Sequence, residues 1–368
     1  MSAITRLYRG ETKIEFIGTR KRWYAASAIL ILICIVSFIV RGFNEGVEFK
    51  GGSSFQFTNT NLTASQLQSA FDKFGVSPPD APQVAGSGSN RSIIVDTATL
   101  TPQKSEALQK YLQQDLHINA KDISVQIFGS SWGHDTTVNA LEGLIIFLVI
   151  VSIYIAIRFH WRMAIGGIVA LLHDLVIAAG VYSLVGFEVT PSTIVGLLTI
   201  LGFSLYDTVV VYDKVNENAK DIIATGRMTY SEAANLAVNQ TLMRSINTSL
   251  IALLPVAGLL FVGAGLLGVG TIKDLALILF VGLASGAYSS LFLATPIVVD
   301  LTERSPEYKT HTRRVLAKRS SDAKKGLDAD ELTPAGVAAA RRAGGGSAPA
   351  PAPAPGARPG GRPPRRRR

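Results

Sequence analysis

Six long apolar runs decide what this chain can become. They cover residues 23–40, 138–157, 163–185, 191–211, 248–267 and 272–298. Each is close to the 17 to 25 residues or so that a helix needs to cross a hydrocarbon layer about 30 Å thick. Across the 368 residues 48% are hydrophobic and only 17% are charged. With the apolar residues gathered in runs, that balance argues against a soluble enzyme, a secreted domain or a disordered chain.

The formal charge of +9 is a property of one end. Residues 304–368 carry 16 Lys and Arg against 5 Asp and Glu, an excess of 11 that leaves −2 for residues 1–303. A basic tail points to orientation in a membrane more than to nucleic acid, and nucleic acid is not an expected partner. Residues 1–22 hold Arg6, Arg9, Lys13, Arg20, Lys21 and Arg22, which place the N-terminus inside. Six crossings return the C-terminus to the same side. The expected inner connections carry Arg158, His160 and Arg162, then Lys214, Lys220, Arg227 and Arg244, while residues 42–135 hold six basic against nine acidic side chains. The expected organisation is a basic cytoplasmic segment 1–22, a first spanning helix 23–40, an extracytoplasmic α+β domain 41–137, helices two to six over 138–302, and a basic disordered cytoplasmic tail 303–368. An amphipathic link at 214–247 is expected to lie on the inner surface.

Within the outer segment, periodicity and turn residues predict a strand at 46–57, a helix at 63–74, a strand pair over 83–96 around the Gly86-to-Asn90 turn, a helix at 102–114 and a strand at 122–128. That order is βαββαβ, a ferredoxin-like arrangement. No Ser, His and Asp spacing suggests hydrolysis, and no Walker loop is present, so the chain is not expected to be an enzyme. The single cysteine, Cys34, permits no intrachain disulfide and no cysteine cluster. The GAGLLG pattern at 263–268 ends an apolar run with no strand before it, so it reads as helix packing or a turn instead of a dinucleotide loop. Neither cofactor nor metal is expected.

Ionisable side chains inside spanning helices demand a reason, because each costs roughly 2.5–3.5 kcal/mol at a helix centre. Asp207 stands in the fourth run with apolar neighbours on both sides and reads as a buried pair or a proton acceptor. Asp174, beside His173 in the third run, fits a structural hydrogen bond or a transport role equally. Asp213 and Lys214 read as solvated charges at a helix end. Arg244 opens the fifth helix, where it anchors the inner face or reaches a carboxylate such as Asp207. The pair Gly51 and Gly52 reads as a bulge or tight turn.

Three segments then carry a resemblance: GVEFKGGS at 46–53, GFSLYDTVVVYDKVNEN at 202–218 and RSINTS at 244–249, with His173 and Asp174 in the third helix. The chain resembles the SecD/SecF protein-export family of the resistance-nodulation-division superfamily, and within it the smaller of the two partner types. Glu48 stands where the family pattern has Asp, and Asn216 where many relatives have Arg. The resemblance implies a subunit of the bacterial cytoplasmic membrane that works with SecD beside the SecYEG channel, after the SecA motor. Its partners would extend to YajC, unfolded preproteins and the lipid bilayer. It implies use of the proton motive force, with Asp207 as the proton-linked carboxylate, Arg244 as its charged partner and Asp174 as a third member. Two other readings fit the same residues: a half-size proton-driven exporter of small molecules or lipid, and a non-transporting translocon scaffold.

Overall fold

Side chains that pack on one another, and not only on lipid, decide how the apolar runs come together. The computed structural model describes residues 14–58, 62–85, 91–264, 266 and 270–324. Among these described residues six helices are long and apolar enough to cross a membrane. They are α1 (Arg20–Arg41), α5 (Ser130–Arg158), α6 (Trp161–Val185), α7 (Pro191–Ala219), α9 (Tyr230–Gly258) and a sixth made of α10 (Gly270–Ser289) and α11 (Thr295–Glu303). Their ends follow local chemistry. The Thr190 hydroxyl accepts from the Thr193 N–H while Pro191 opens α7, Thr229 forms a capping box with Glu232 ahead of α9, and Gly186 closes α6 in a left-handed turn.

Two helices contain a wider turn beside a proline. Pro255 lies inside α9, which passes into a π-helical segment over Leu259–Ala264. Pro296 follows the π-helical segment Ser290–Ala294 that joins α10 to α11. Proline has no N–H to give the carbonyl four residues earlier, so the ladder adjusts next to it. Glycines let the bundle close. A Cβ on Gly282 would stand 1.9 Å from Ile200 Cδ1, and one on Gly286 would stand 2.9 Å from Ser204 Cβ.

Between α1 and α5 lies an α+β unit. Strand β1 (Asn44–Glu45) and a one-turn helix α2 (Val47–Lys50) precede β2 (Gly52–Thr58), α3 (Ala64–Phe74), β3 (Gln83–Ala85), β4 (Ser92–Thr97), α4 (Pro102–Asp115) and β5 (Ile123–Phe128). The sheet order is β3-β4-β2-β5, antiparallel throughout. Phe55, Phe57, Ile93 and Val95 point to one face and pack with Leu67, Phe71, Leu108 and Leu112 of the two helices. A short parallel pairing of β1 with β6 (Glu188–Val189) joins this unit to the α6–α7 connection.

Four expectations change. The strand predicted from residue 46 begins at Gly52, because residues 47–50 form a helical turn and Gly51 takes φ +76, outside any strand. The second spanning helix begins at Ser130, about two turns before its apolar run. The stretch 214–247 is not one surface helix: residues to Ala219 finish α7, the short α8 (Ile222–Thr225) makes the turn, and residues from Tyr230 belong to α9. The first part of the basic tail is α12 (Pro306–Lys324), held by the paired contacts of Arg319 with Glu232 and by His311 Nε2 against the Met228 carbonyl at 3.0 Å. The Gly86-to-Asn90 turn, half of the GAGLLG pattern and the tail beyond 324 lie outside the described residues.

Candidate functional site

Asp174 lies midway along α6 and Asp207 midway along α7, with 1% and 3% of their surfaces exposed. Buried carboxylates need donors, and both have them. Asp174 Oδ1 accepts from Ser285 Oγ at 2.7 Å and meets His173 Nδ1 at 3.2 Å, while its Oδ2 accepts from Ser204 at 2.6 Å and Ser289 at 2.7 Å. Asp207 Oδ1 accepts from Ser245 at 2.8 Å and its Oδ2 from Ser290 at 2.8 Å. Ser285 and Ser289 are four residues apart and share one face of α10, so both reach Asp174. Ser290 is the next residue, turned by about 100°, and reaches the second carboxylate. One strand of backbone at the mouth of the π-helical turn therefore touches both acids. Absence of a side chain at Gly286 brings α10 against Ser204 and completes the seam.

Arg244 is not the partner of Asp207 in this arrangement. Its Nη2 donates to Tyr206 Oη at 3.0 Å, and no Asp207–Arg244 ion pair occurs among the described residues. Helix geometry gives the reason. Consecutive side chains diverge by about 100°, so with Ser245 turned to Asp207, its neighbour Arg244 faces Tyr206, the residue beside Asp207 on α7. Asp213 pairs with Arg158 at 2.9 Å and Lys214 with Glu217 at 2.8 Å, both at a partly exposed helix end. A hydroxyl pocket has a property that an arginine lacks. Serine can donate to a carboxylate or accept from the carboxylic acid, so the same side chains satisfy Asp174 and Asp207 in either protonation state.

Carboxylates gather at a second place, where the α+β unit meets the helices. The sheet face opposite its core presents Ser54, Gln56, Asp96 and Gln126 to a cavity of about 130 Å³, closed on the bundle side by Glu188, Lys273 and Asp274. Glu48 lines it from α2. Gln83 Nε2 donates to Glu188 Oε2 at 2.5 Å across the junction. Burial, and then the nearby Asp96 charge, push the Glu188 carboxyl up to about 8. Burial also raises Glu48 and Asp96, and Asp96 Oδ1 has no hydrogen-bond partner. Gly51 and Gly52 lie at this end of the molecule. A Cβ on Gly52 would stand 2.6 Å from the Thr97 carbonyl oxygen, so the pair serves a turn and a close strand approach. Among the described residues no three His, Cys, Asp or Glu side chains are grouped to hold a metal ion.

Comparison with known proteins fits this geometry. Residues 107–304 match the family described as protein export membrane protein SecD/SecF, C-terminal, and residues 36–58 match the SecD/SecF GG motif. The chain belongs to the SecD/SecF family. Protein translocase subunit SecF of Streptomyces coelicolor is 49% identical over 333 residues, covering 90% of this chain and 88% of that one. Its namesake in Mycobacterium tuberculosis is 42% identical over 375 residues, covering 95% and 85%. The crystal structure of SecDF, a translocon-associated membrane protein from Thermus thermophilus, superposes with a TM-score of 0.71 at 30% identity. That alignment covers 80% of this chain but 39% of the longer SecDF chain. Like its SecD/SecF relatives, this is a multi-pass membrane protein.

The SecD/SecF matches enclose Asp174, Asp207 and Arg244 in one segment and Gly51 and Gly52 in the other. The serine ligands were not among the residues singled out from sequence. A signal for them existed: Ser285 and Ser289 interrupt one face of an apolar helix at helical spacing, with Ser290 beside them, where hydroxyls must find partners. Glu188 and Asp274 carried no comparable signal, since both fall at run ends where charge is ordinary.

Proposed function

We propose that this chain acts as the SecF-type accessory subunit of a bacterial Sec export assembly, pairing with SecD and using proton movement to promote preprotein translocation and release. The observation that carries this reading is the pair of buried carboxylates held by serine hydroxyls inside the bundle. Each can gain or lose a proton without losing its hydrogen bonds. One proton crossing about 100 mV supplies about 2.3 kcal/mol, enough to shift two arrangements close in energy. The shared backbone of Ser289 and Ser290, at a π-helical turn, gives protonation a route to helix movement. Arg244 is exposed, and farther along the same helix Leu250, Ile251 and Leu254 are exposed as well. A guanidinium on an apolar face calls for a partner, and SecD packing there would supply one.

The remaining parts of the reading follow the family. The chain sits in the bacterial cytoplasmic membrane with both termini inside. Its α+β unit, read as ferredoxin-like from the β3-β4-β2-β5 order, lies outside and handles the emerging preprotein next to SecYEG, after SecA and with YajC nearby. It performs no bond-making chemistry and needs no cofactor. The test is precursor accumulation of an exported reporter in cells whose only copy carries Asp207→Asn, with membrane abundance measured alongside. Precursor accumulation at unchanged abundance supports proton coupling at Asp207. Unchanged export removes Asp207 as the coupling site and favours the scaffold reading.

A further inference from the structure

His173 is the one buried titratable side chain in the carboxylate seam that the reading above leaves unused. It is 3% exposed, and its Nδ1 lies 3.2 Å from Asp174 Oδ1. Its Nε2 is buried without a hydrogen-bond partner. The tautomer follows from the neighbours. While Asp174 is ionised, Ser204, Ser285 and Ser289 donate to it, a carboxylate can only accept, and so the proton on the neutral imidazole sits at Nδ1. Nε2 is left as a bare lone pair inside the bundle, an arrangement that costs free energy unless it is used.

The surrounding elements leave that lone pair open. Helix six brings Tyr288, whose ring centroid is 6.0 Å from the imidazole, but the Tyr288 hydroxyl is engaged with Ser27 at 3.1 Å and the Trp23 carbonyl at 3.2 Å. Helix α1 brings Arg20 and Tyr24, both bound to Asp300 of helix six, with Glu303 beside Arg20. Helix α7 brings Asp207, occupied by Ser245 and Ser290, and α5 brings Tyr154 and Arg158, the latter held by Asp213.

We propose that His173 is a second proton-binding residue of the bundle, accepting a proton at Nε2 while its Nδ1–H stays bonded to Asp174. The inference rests on the proton-coupled reading and adds to it a second site of different chemistry. Binding places the proton on the Nε2 lone pair and breaks no bond in the protein; release returns the same lone pair. Loaded, imidazolium and carboxylate form a pair of zero net charge. Unloaded, the carboxylate keeps four donors. Ser289 and Ser290 tie this pair to Asp207 through adjacent residues of one helix, so occupancy of either site is felt at the other.

The test uses the full chain in lipid, labelled with ¹⁵N-histidine and titrated between about pH 5 and 9. The His173 signal is identified as the one lost in His173→Asn, or in His173→Gln if the asparagine variant does not accumulate. The expected result is an Nε2 signal that moves from the unprotonated to the protonated region within that range. In cells, His173→Asn keeps an amide donor toward Asp174 but cannot carry the proton, and export is expected to fall by about tenfold at unchanged abundance. An Nε2 signal that stays unprotonated throughout, or export that is unchanged in His173→Asn, overturns the proposal. The two readings fail separately. If Asp207→Asn blocks export while His173 never titrates, only this inference falls; if His173 titrates while Asp207→Asn is silent, coupling at Asp207 falls and the histidine site stands.

Discussion

Two groups of acids in this molecule are handled in opposite ways. Inside the helix bundle Asp174 and Asp207 are each wrapped by hydroxyls that serve the charged and the neutral carboxyl alike. At the junction with the α+β unit, Glu48, Asp96, Glu188 and Asp274 crowd one small cavity with Lys273 as the cation lining it, and one oxygen of Asp96 is left without a partner. The first arrangement tolerates a proton; the second depends on having one. The same residue chemistry therefore gives an insulated site in one region and a charge-sensitive contact in the other, and what differs is the supply of rotatable donors.

The comparison can be attacked at several points. Removing two Asp174 donors in Ser285→Ala/Ser289→Ala is expected to destabilise the protein by about 2–5 kcal/mol, because a buried carboxylate is left short of partners. Thermal unfolding in detergent reads the loss, and a stability equal to wild type would mean that the hydroxyls are not what holds the acid. Gly52→Leu forces a side chain against the Thr97 carbonyl and is expected to cost about 1–3 kcal/mol, seen as faster hydrogen exchange in β2 and β4. Glu188 tests the junction by pH. Its carboxyl titrates near 4.5 when freed and near 8 in place, so the docked form holds the extra proton between those values and the contact weakens as pH rises through that window. Protection of β3 against hydrogen exchange, with the intrinsic pH dependence of amide exchange divided out, should fall over that range in wild type and stay flat in Glu188→Gln; equal slopes in both would exclude Glu188 as the sensitive group. Arg158→Ala removes a half-exposed pair with Asp213 and should change stability by less than about 1 kcal/mol. A larger loss in the unfolding curve would show that this helix end matters more than its exposure implies.

Much of this was legible in the chain itself, for physical reasons that differ from place to place. Spanning segments announce themselves by length and hydropathy, and an aspartate in the middle of one has no ordinary explanation, so Asp174 and Asp207 stood out. Pairing did not, because a sequence gives a helix its face only to within the turn that sets it. Arg244 and Ser245 are one residue apart, and the 100° between them decides which meets Asp207. Strand β2 was anticipated too early because GVEFKGG alternates well enough on paper, while Gly51 in its left-handed conformation separates a helical turn from the strand. Helix α12 was missed since its residues lack an apolar stripe; His311, Val315 and Arg319 nevertheless lie four apart, with His311 and Val315 buried and Arg319 bound to Glu232.

The segment ahead of α1 carries a consequence for how the protein is made. Asn235 Oδ1 accepts the N–H groups of Phe16 at 2.8 Å and Ile17 at 3.1 Å, and Asn239 Oδ1 accepts that of Ile14 at 3.1 Å, while Phe16 and Ile17 are buried. These partners are 218 to 225 positions apart in the chain. A ribosome that delivers residues in order presents the first hydrophobic helix to the bilayer long before the asparagines that fasten its leading end exist. Helix α1 must therefore wait, loosely held at its leading end, until α9 has been made, and the clasp closes only after the helices between them are in place.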